Sequence, residues 1–173
     1  MFLTIYTLIH VAISLVGLVS GLVVLLAMFN SKRLDGWTAV FLWTTVATSV
    51  TGFGFPVEHL MPSHIIGALS LLVLALAIYS RYSRRLAGGW RKAYVISAVV
   101  ALYFNMFVAI VQAFAKVPAL KALAPTQAET PFKLTQLVVL LIFIAAGIFA
   151  TIRFHPLAPG QGPQESGPSA VTP

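Results

Sequence analysis

Long apolar stretches alternate with short polar segments along almost the whole chain. A helix needs roughly 20 apolar residues to cross the hydrocarbon core of a bilayer. Five stretches approach or reach that length, and Pro, Gly or Asn residues bound each of them. The pattern predicts an all-α polytopic membrane protein, a bundle of five transmembrane helices at about 3–29, 37–55, 62–79, 94–115 and 134–152.

The end of the chain differs in composition from the rest. From Pro156 onward it is rich in Pro and Gly and has few large apolar side chains. Such a segment buries too little apolar surface to offset the entropy lost on folding. We therefore predict one transmembrane domain, 1–155, followed by a disordered tail, 156–173.

Composition agrees with a lipid environment. Hydrophobic residues make up 59% of the chain and charged residues only 9%, which is too little polar surface for a soluble domain of this size. The net charge of +7 would suggest nucleic acid in a soluble protein, but here the cations lie beside apolar helices, so we expect no nucleic-acid partner. The absence of cysteine excludes disulfides, iron–sulfur clusters and thiolate zinc sites.

The distribution of Lys and Arg predicts an orientation, because these residues are concentrated in cytoplasmic loops. Eight of the eleven follow the first, third and fifth predicted spans, and three fall in the longer loop 116–133. The prediction is an N-terminus outside and a C-terminus in the cytoplasm. The eight are Lys32, Arg33, Arg81, Arg84, Arg85, Arg91, Lys92 and Arg153, and the three are Lys116, Lys121 and Lys133.

Small and amide residues indicate how the helices pack. Gly17 and Gly21 form a GxxxG step, which lets two helix backbones approach closely. Ala98, Asn105 and Gln112 recur every seven residues, and we expect this face to look into the bundle because an amide in lipid is costly.

Three histidines, His10, His59 and His64, are predicted at the outer end. His10 and His64 are candidates for bis-histidine ligation of haem b, since both lie near the outer boundary on parallel helices. Alternatively, Glu58 and the three histidines form a zinc or copper site, although their spacing matches no helical metal motif. The third interpretation is that these residues are interfacial and hydrogen-bond to neighbouring hydroxyl or backbone groups.

The amides Asn105 and Gln112 also have two interpretations. They are candidates to bind a ligand such as a quinone head group, or they hydrogen-bond between helices, which is the commoner use of membrane amides. The loop 116–133 is longer than a connection between antiparallel helices requires, so it is a candidate lid or docking surface.

Missing features narrow the function. None of the four acids falls within a predicted span, whereas proton-coupled transporters usually use a carboxylate inside the membrane. The chain has no phosphate-binding loop, GxSxG or HExxH motif. An enzyme is therefore the less favoured class, and no catalytic residue is predicted.

Two segments carry a resemblance to known proteins: GWTAVFLWTTVATSVTGFGFP with PSHIIG, and YFNMFVAIVQAF followed by KVPALKALAPTQAETPF. They resemble small bacterial inner-membrane proteins of uncharacterised activity, which implies an inner (plasma) membrane location. His64 followed by Gly67 is also similar to b-type cytochrome bundles. The histidine pairs that two-haem cytochromes space about fourteen residues apart on one helix are absent from the sequence.

From these patterns we predict a non-catalytic accessory or assembly subunit of a membrane complex, whose partners are the bilayer and other membrane subunits. The alternative is a redox protein that binds haem b or a quinone at the outer face. A second alternative is a channel or carrier for small solutes, lined by Thr and amide residues.

Overall fold

The computed structural model describes residues 2–55 and 62–156, with side chains for all of these except 62–64. Within these ranges the chain is helical and has no β-strand. A π-helical turn, Tyr79–Ser83, continues α3. The helices are α1 (Phe2–Phe29), α2 (Asp35–Gly52), α3 (Pro62–Ile78), α4 (Gly89–Lys116), α5 (Pro118–Leu123) and α6 (Thr130–Arg153).

The bundle has two ends that differ in chemistry. At the end that we call the histidine end, the start of α1 meets the end of α2, where the Tyr6 hydroxyl donates to the Thr51 carbonyl at 2.6 Å. At the opposite end, the arginine end, Arg81 of the π-helical turn pairs with Asp35 at the start of α2. Helix α2 therefore runs antiparallel to α1 and reaches both ends.

Four helical segments are long and apolar enough to cross a membrane: Phe2–Phe29, Ile65–Ser83, Gly89–Lys116 and Thr130–Arg153. Four of the five predicted spans correspond to these segments. The remaining one, 37–55, is also helical as α2, but Asp35 and the many Thr residues of α2 lower its hydropathy. The structure thus confirms four helices that could cross a membrane, of the five that the sequence predicts.

The apolar core lies in the half of the bundle nearer the arginine end. Its members include the largest fully buried side chains, and most come from α1, α2, α3 and α4, with Phe143, Ala150 and Phe154 from α6 and its end. Gly21 allows this packing, because a Cβ there would lie 2.5 Å from Leu102 Cδ1 and 2.8 Å from the Phe41 ring. The predicted close approach at the GxxxG step is therefore confirmed, and its partners are α2 and α4.

Arg81 is buried within this core. We expected it in a basic loop, but it lies in the π-helical turn and is only 2% exposed. Its guanidinium donates to Asp35 Oδ1 and lies 5.2 Å from the centre of the Tyr94 ring. An opposite charge and an aromatic face offset part of the cost of removing this cation from water.

Further contacts close the arginine end. The Arg91 side chain donates to the carbonyls of Thr151, at 3.4 Å, and Phe154 at the end of α6. A cation at this position complements the partial negative charge of a helix C-terminus. The His155 backbone N–H also donates to Ser31 Oγ at 2.8 Å, which ties the end of α6 to the end of α1. The predicted tail lies outside the described residues beyond Pro156.

Candidate ligand-binding cavity

A cavity of about 580 Å³ occupies the histidine half of the bundle, between α1, α2, α3 and α4. This volume falls within the range of about 300–1,000 Å³ that is typical of small-molecule sites. The wall is mostly apolar, with a smaller number of hydroxyl, amide, imidazole and ammonium groups. The polar residues that line it are Thr7, His10, Ser14, Thr45, Thr48, Ser49, Ser70, Asn105, Gln112 and Lys116.

Helical spacing brings four of the lining residues onto one face of α4. Asn105, Ala109, Gln112 and Lys116 are separated by four, three and four residues, and such steps place side chains above one another on a helix. With a rise of 1.5 Å per residue, Asn105 and Lys116 lie about 16 Å apart along the axis. The cavity therefore extends from the end of α4 toward the middle of the bundle.

The floor of the cavity is formed where α1 approaches α2 and α4. A Cβ at Gly17 would lie 3.1 Å from Thr44 Oγ1 and 3.2 Å from both Asn105 Nδ2 and Thr45 Oγ1. The Asn105 amide donates to the Ser14 carbonyl over a long 3.4 Å. Beyond this level the packed core begins, so the cavity is closed toward the arginine end.

The threonines of α2 differ in how their hydroxyl groups are used. Those of Thr44, Thr45 and Thr51 donate to carbonyls four residues earlier in the helix, at 2.6–2.7 Å. Such bonds satisfy a hydroxyl within its own helix. The Thr48 hydroxyl is buried and has no hydrogen-bond partner among the described residues. A buried polar group of this kind requires an explanation, such as a water molecule or a ligand.

His10 is held by α2 at the wall of the cavity. Its Nδ1 lies 2.8 Å from Thr51 Oγ1, and its ring meets the Phe55 ring edge-on at 5.1 Å. Because the Thr51 hydroxyl already donates its proton to the Ala47 carbonyl, we infer that Nδ1 of His10 carries the proton and is the donor. The Nε2 atom then has a lone pair to accept a hydrogen bond or bind a metal.

One side of the cavity opens between α1 and α4. The contacts that join these helices lie at Ser14, Gly17 and Gly21. Nearer the histidine end, Val11 of α1 and Gln112 of α4 line the cavity and are exposed, Val11 by 40%. The opening is at the depth of helices apolar enough to span a membrane, so lipid would face it.

Three of the predicted site residues meet at this cavity. His10 of α1 and both Asn105 and Gln112 of α4 line the wall of this cavity. The predicted haem pair cannot be compared with the structure, since the side chain of His64 and all of His59 lie outside the described residues. Among the side chains that are described, no three His, Asp or Glu residues are grouped as a metal site requires.

Two lining residues were missing from the sequence prediction. Lys116 follows Gln112 by four residues, so its helical spacing was the signal, but the charge was assigned to topology alone. Ser70 accepts a hydrogen bond from Ser49 at 3.2 Å across α2 and α3. Nothing in the sequence distinguishes it from other serines of apolar helices.

Two amide residues that follow α4 in the chain have main-chain partners. The Gln127 side chain donates to the Val111 carbonyl at 2.9 Å, and that of Gln136 donates to the Phe107 carbonyl at 3.3 Å. Both residues thus connect the chain after α4 to the backbone of α4 and are not lining residues. The buried Oε1 of Gln136 has no hydrogen-bond partner among the described residues.

The loop 116–133 contains α5 and a compact turn before α6. The Glu129 carboxylate accepts hydrogen bonds from Thr126 Oγ1 at 2.8 Å and from the Ala128 N–H at 3.0 Å. Slight desolvation raises the pKa of Glu129, but the hydrogen bonds from Thr126 and Ala128 outweigh it and hold this pKa below its ordinary value. The turn is therefore best formed when Glu129 is ionised.

Comparison with known proteins finds no match to this chain among protein-family models, curated proteins or solved structures.

Proposed function

We propose that this protein binds a lipid-soluble small molecule in the cavity between α1, α2, α3 and α4. The observation that carries this proposal is a large, mostly apolar cavity whose wall includes the amides of Asn105 and Gln112. Apolar volume suits the body of such a molecule, and a few polar groups orient its head.

The polar groups favour a head group that carries oxygen acceptors. The amides of Asn105 and Gln112 and the Lys116 ammonium are all donors, and all three residues line the cavity. A quinone, the ligand expected from Asn105 and Gln112, belongs to this chemical class. Haem b would in addition need His64 as a second axial ligand to His10.

The shape of the cavity favours binding over transport. A channel needs a continuous path, but the described core beyond Gly17 and Asn105 is packed. A role as an accessory subunit is compatible with ligand binding and remains a prediction from the sequence.

We also propose that α2 is a fifth span, with the N-terminus outside and the C-terminus in the cytoplasm of a bacterial inner membrane. Its 18 residues rise about 27 Å, close to the 30 Å hydrocarbon core. Contacts of α2 at both ends of the bundle support this, as does the excess of Lys and Arg at one end.

Labelling of single cysteines tests this topology, since the natural chain has none. Five spans require Lys32→Cys and Arg85→Cys to react from one side of intact cells and Lys121→Cys from the other. If α2 did not cross, Lys32→Cys and Arg85→Cys would react from opposite sides.

Binding of a decyl benzoquinone to the purified protein, followed by native mass spectrometry, tests the proposed function. Ala109→Phe places a ring inside the cavity and should abolish binding. Ala145→Phe makes the same change on the exposed face of α6 and should leave binding unchanged. Equal binding by both variants would contradict the proposal.

A reduced-minus-oxidised absorption spectrum of protein from cells supplied with haem tests the haem alternative. A sharp α band that is lost in both His10→Ala and His64→Ala would support bis-histidine ligation. A flat spectrum at full haem supply would exclude it.

A further inference from the structure

We propose that the molecule bound in the cavity is an acidic amphiphile, whose anionic head pairs with Lys116 and whose apolar body enters from the bilayer between α1 and α4. This inference rests on the proposed function and narrows its ligand. The head would be a carboxylate or a phosphate, the two common groups with anionic oxygens.

The charge at the cavity is positive. Among the described lining residues, Lys116 is the only Lys or Arg, and none is Asp or Glu. An unbalanced cation beside a low-dielectric wall attracts an anion more strongly than it would in water. If Lys116 served only to orient the helices in the membrane, a Lys on the outer surface of the loop would serve equally well, such as Lys121 on the exposed helix α5.

Lys116 lies close to a second donor of the cavity wall, Gln112. Lys116 is the last residue of α4, so a head group there also meets the partial negative charge of the helix end, which the Lys116 ammonium must outweigh. Gln112 lies one turn below and faces the same cavity. A head group at this level would accept a charge-assisted hydrogen bond from Lys116 and a neutral one from Gln112.

An apolar wall lines the deeper part of the cavity. Below the head-group level the cavity is lined by Val11, Leu15, Leu18, Phe104 and Val108. Leu15 is both a lining residue and exposed, so the wall is continuous with the surface that faces lipid. A molecule dissolved in the bilayer would reach the cavity sideways, without leaving the membrane.

Binding of four twelve-carbon probes to the full chain in nanodiscs of phosphatidylcholine tests the proposal. The probes are dodecanoate, dodecyl phosphate, dodecanol and dodecyltrimethylammonium, and protein-free nanodiscs correct for partition into lipid. We expect an anionic probe to bind about tenfold more tightly than dodecanol. Tight binding of dodecanoate alone would assign a carboxylate head, and tight binding of dodecyl phosphate alone a phosphate head.

Lys116→Gln should remove this preference and leave the affinity for dodecanol unchanged. Lys121→Gln is the matched control, because it removes one cation from the same loop region without changing the cavity wall. An equal loss in both variants would overturn the inference, since the attraction would then come from the surface as a whole.

The outcomes separate this inference from the proposed function. If dodecanol and the anionic probes bind equally and Ala109→Phe abolishes both, the cavity binds amphiphiles but the acidic head is wrong. If no probe binds, or if Ala109→Phe changes nothing, both the inference and the proposed function fail.

Discussion

The two halves of this bundle are built from the same helices but are packed in opposite ways. In the arginine half, α1, α2, α3 and α4, together with α6, enclose fully buried side chains, and the guanidinium of Arg81 pairs with Asp35 and lies over the Tyr94 ring. In the histidine half, the first four of these helices enclose about 580 Å³ of open volume.

This difference places the contacts that stabilise the fold at one end of the bundle and the candidate binding site at the other end. Close apolar packing and the pair of Arg81 with Asp35 hold the helices together at one end, so the other end can keep an open cavity and still be positioned. Substitutions in the arginine half should therefore change the free energy of unfolding. Substitutions in the histidine half should change binding more than folding.

The largest effect is expected from Asp35→Ala. This change leaves the buried guanidinium of Arg81 without its counter-charge, but the exposed carboxylate of Asp35 is screened by solvent. We expect unfolding in detergent to become easier by about 2–3 kcal/mol, at or below the lower limit for a fully buried pair. Arg33→Ala is the matched control. It removes the other partner of Asp35 Oδ1, but Arg33 is 27% exposed and Asp35 is 69% exposed, so the loss should be below about 1 kcal/mol.

The double variant Asp35→Ala with Arg81→Met sharpens this test. Removing the buried charge together with its partner should restore much of the lost stability. Losses that simply add would mean that Arg81 contributes by packing and not through its charge.

The next largest effect is expected from Gly21→Ala. A methyl group there would overlap Leu102 and Phe41, and overpacking of this kind costs about 1–3 kcal/mol. Gly36→Ala serves as the control, because a Cβ at Gly36 meets nothing within 4 Å. Thermal unfolding should separate the two variants, and equal midpoints would show that the GxxxG approach is looser than described.

A smaller effect of opposite sign is expected from Thr48→Val. Removing an unpartnered buried hydroxyl should leave the protein as stable as before, or more stable by up to about 1 kcal/mol, and should not change binding of the decyl benzoquinone, because the hydroxyl oxygen is buried away from the cavity. Thr45→Val, which breaks a formed hydrogen bond, should lower stability slightly. A destabilised Thr48→Val protein would contradict this prediction, since the hydroxyl would then contribute to the fold.

The smallest effect is a pH dependence of the turn before α6. Because the pKa of Glu129 lies below its ordinary value of about 4.3, stabilisation of the turn is complete above that pH and is lost as the pH falls through the lowered pKa. The protection factor of the Ala128 amide, which compares its exchange rate with that of an unstructured peptide at the same pH, should fall over this range. In Glu129→Gln this protection factor should not change with pH, and a profile like that of the natural chain would contradict the role of the carboxylate.

Much of the fold could be predicted from the sequence, because the length of apolar stretches and the positions of Gly and Pro are local properties. The close approach at Gly17 and Gly21 and the inward face of Asn105 were predicted in this way. The helix α5 was not, since it is short, exposed and lies in a region that reads as a loop.

Features that depend on distant residues could not be predicted. The burial of Arg81 depends on Asp35, 46 residues earlier, and on the ring of Tyr94. The state of the Thr48 hydroxyl is equally hidden, because five threonines of α2 look alike in sequence and only the structure shows which one lacks a partner. The candidate site was thus predictable in His10, Asn105 and Gln112 but not in Lys116, in Ser70 or in its volume.

The π-helical turn at Tyr79–Ser83 decides which of several neighbouring arginines becomes part of the interior. A π turn holds one residue more than an α turn, and each residue of a helix turns the chain by about 100°. Deleting one residue here would regularise the helix but rotate the side chains after the deletion by that angle relative to α2. The irregular turn therefore sets the register of the side chains. A single inserted position allows Arg81 to contact Asp35, while Arg84 lies 4.9 Å from the centre of the Trp90 ring.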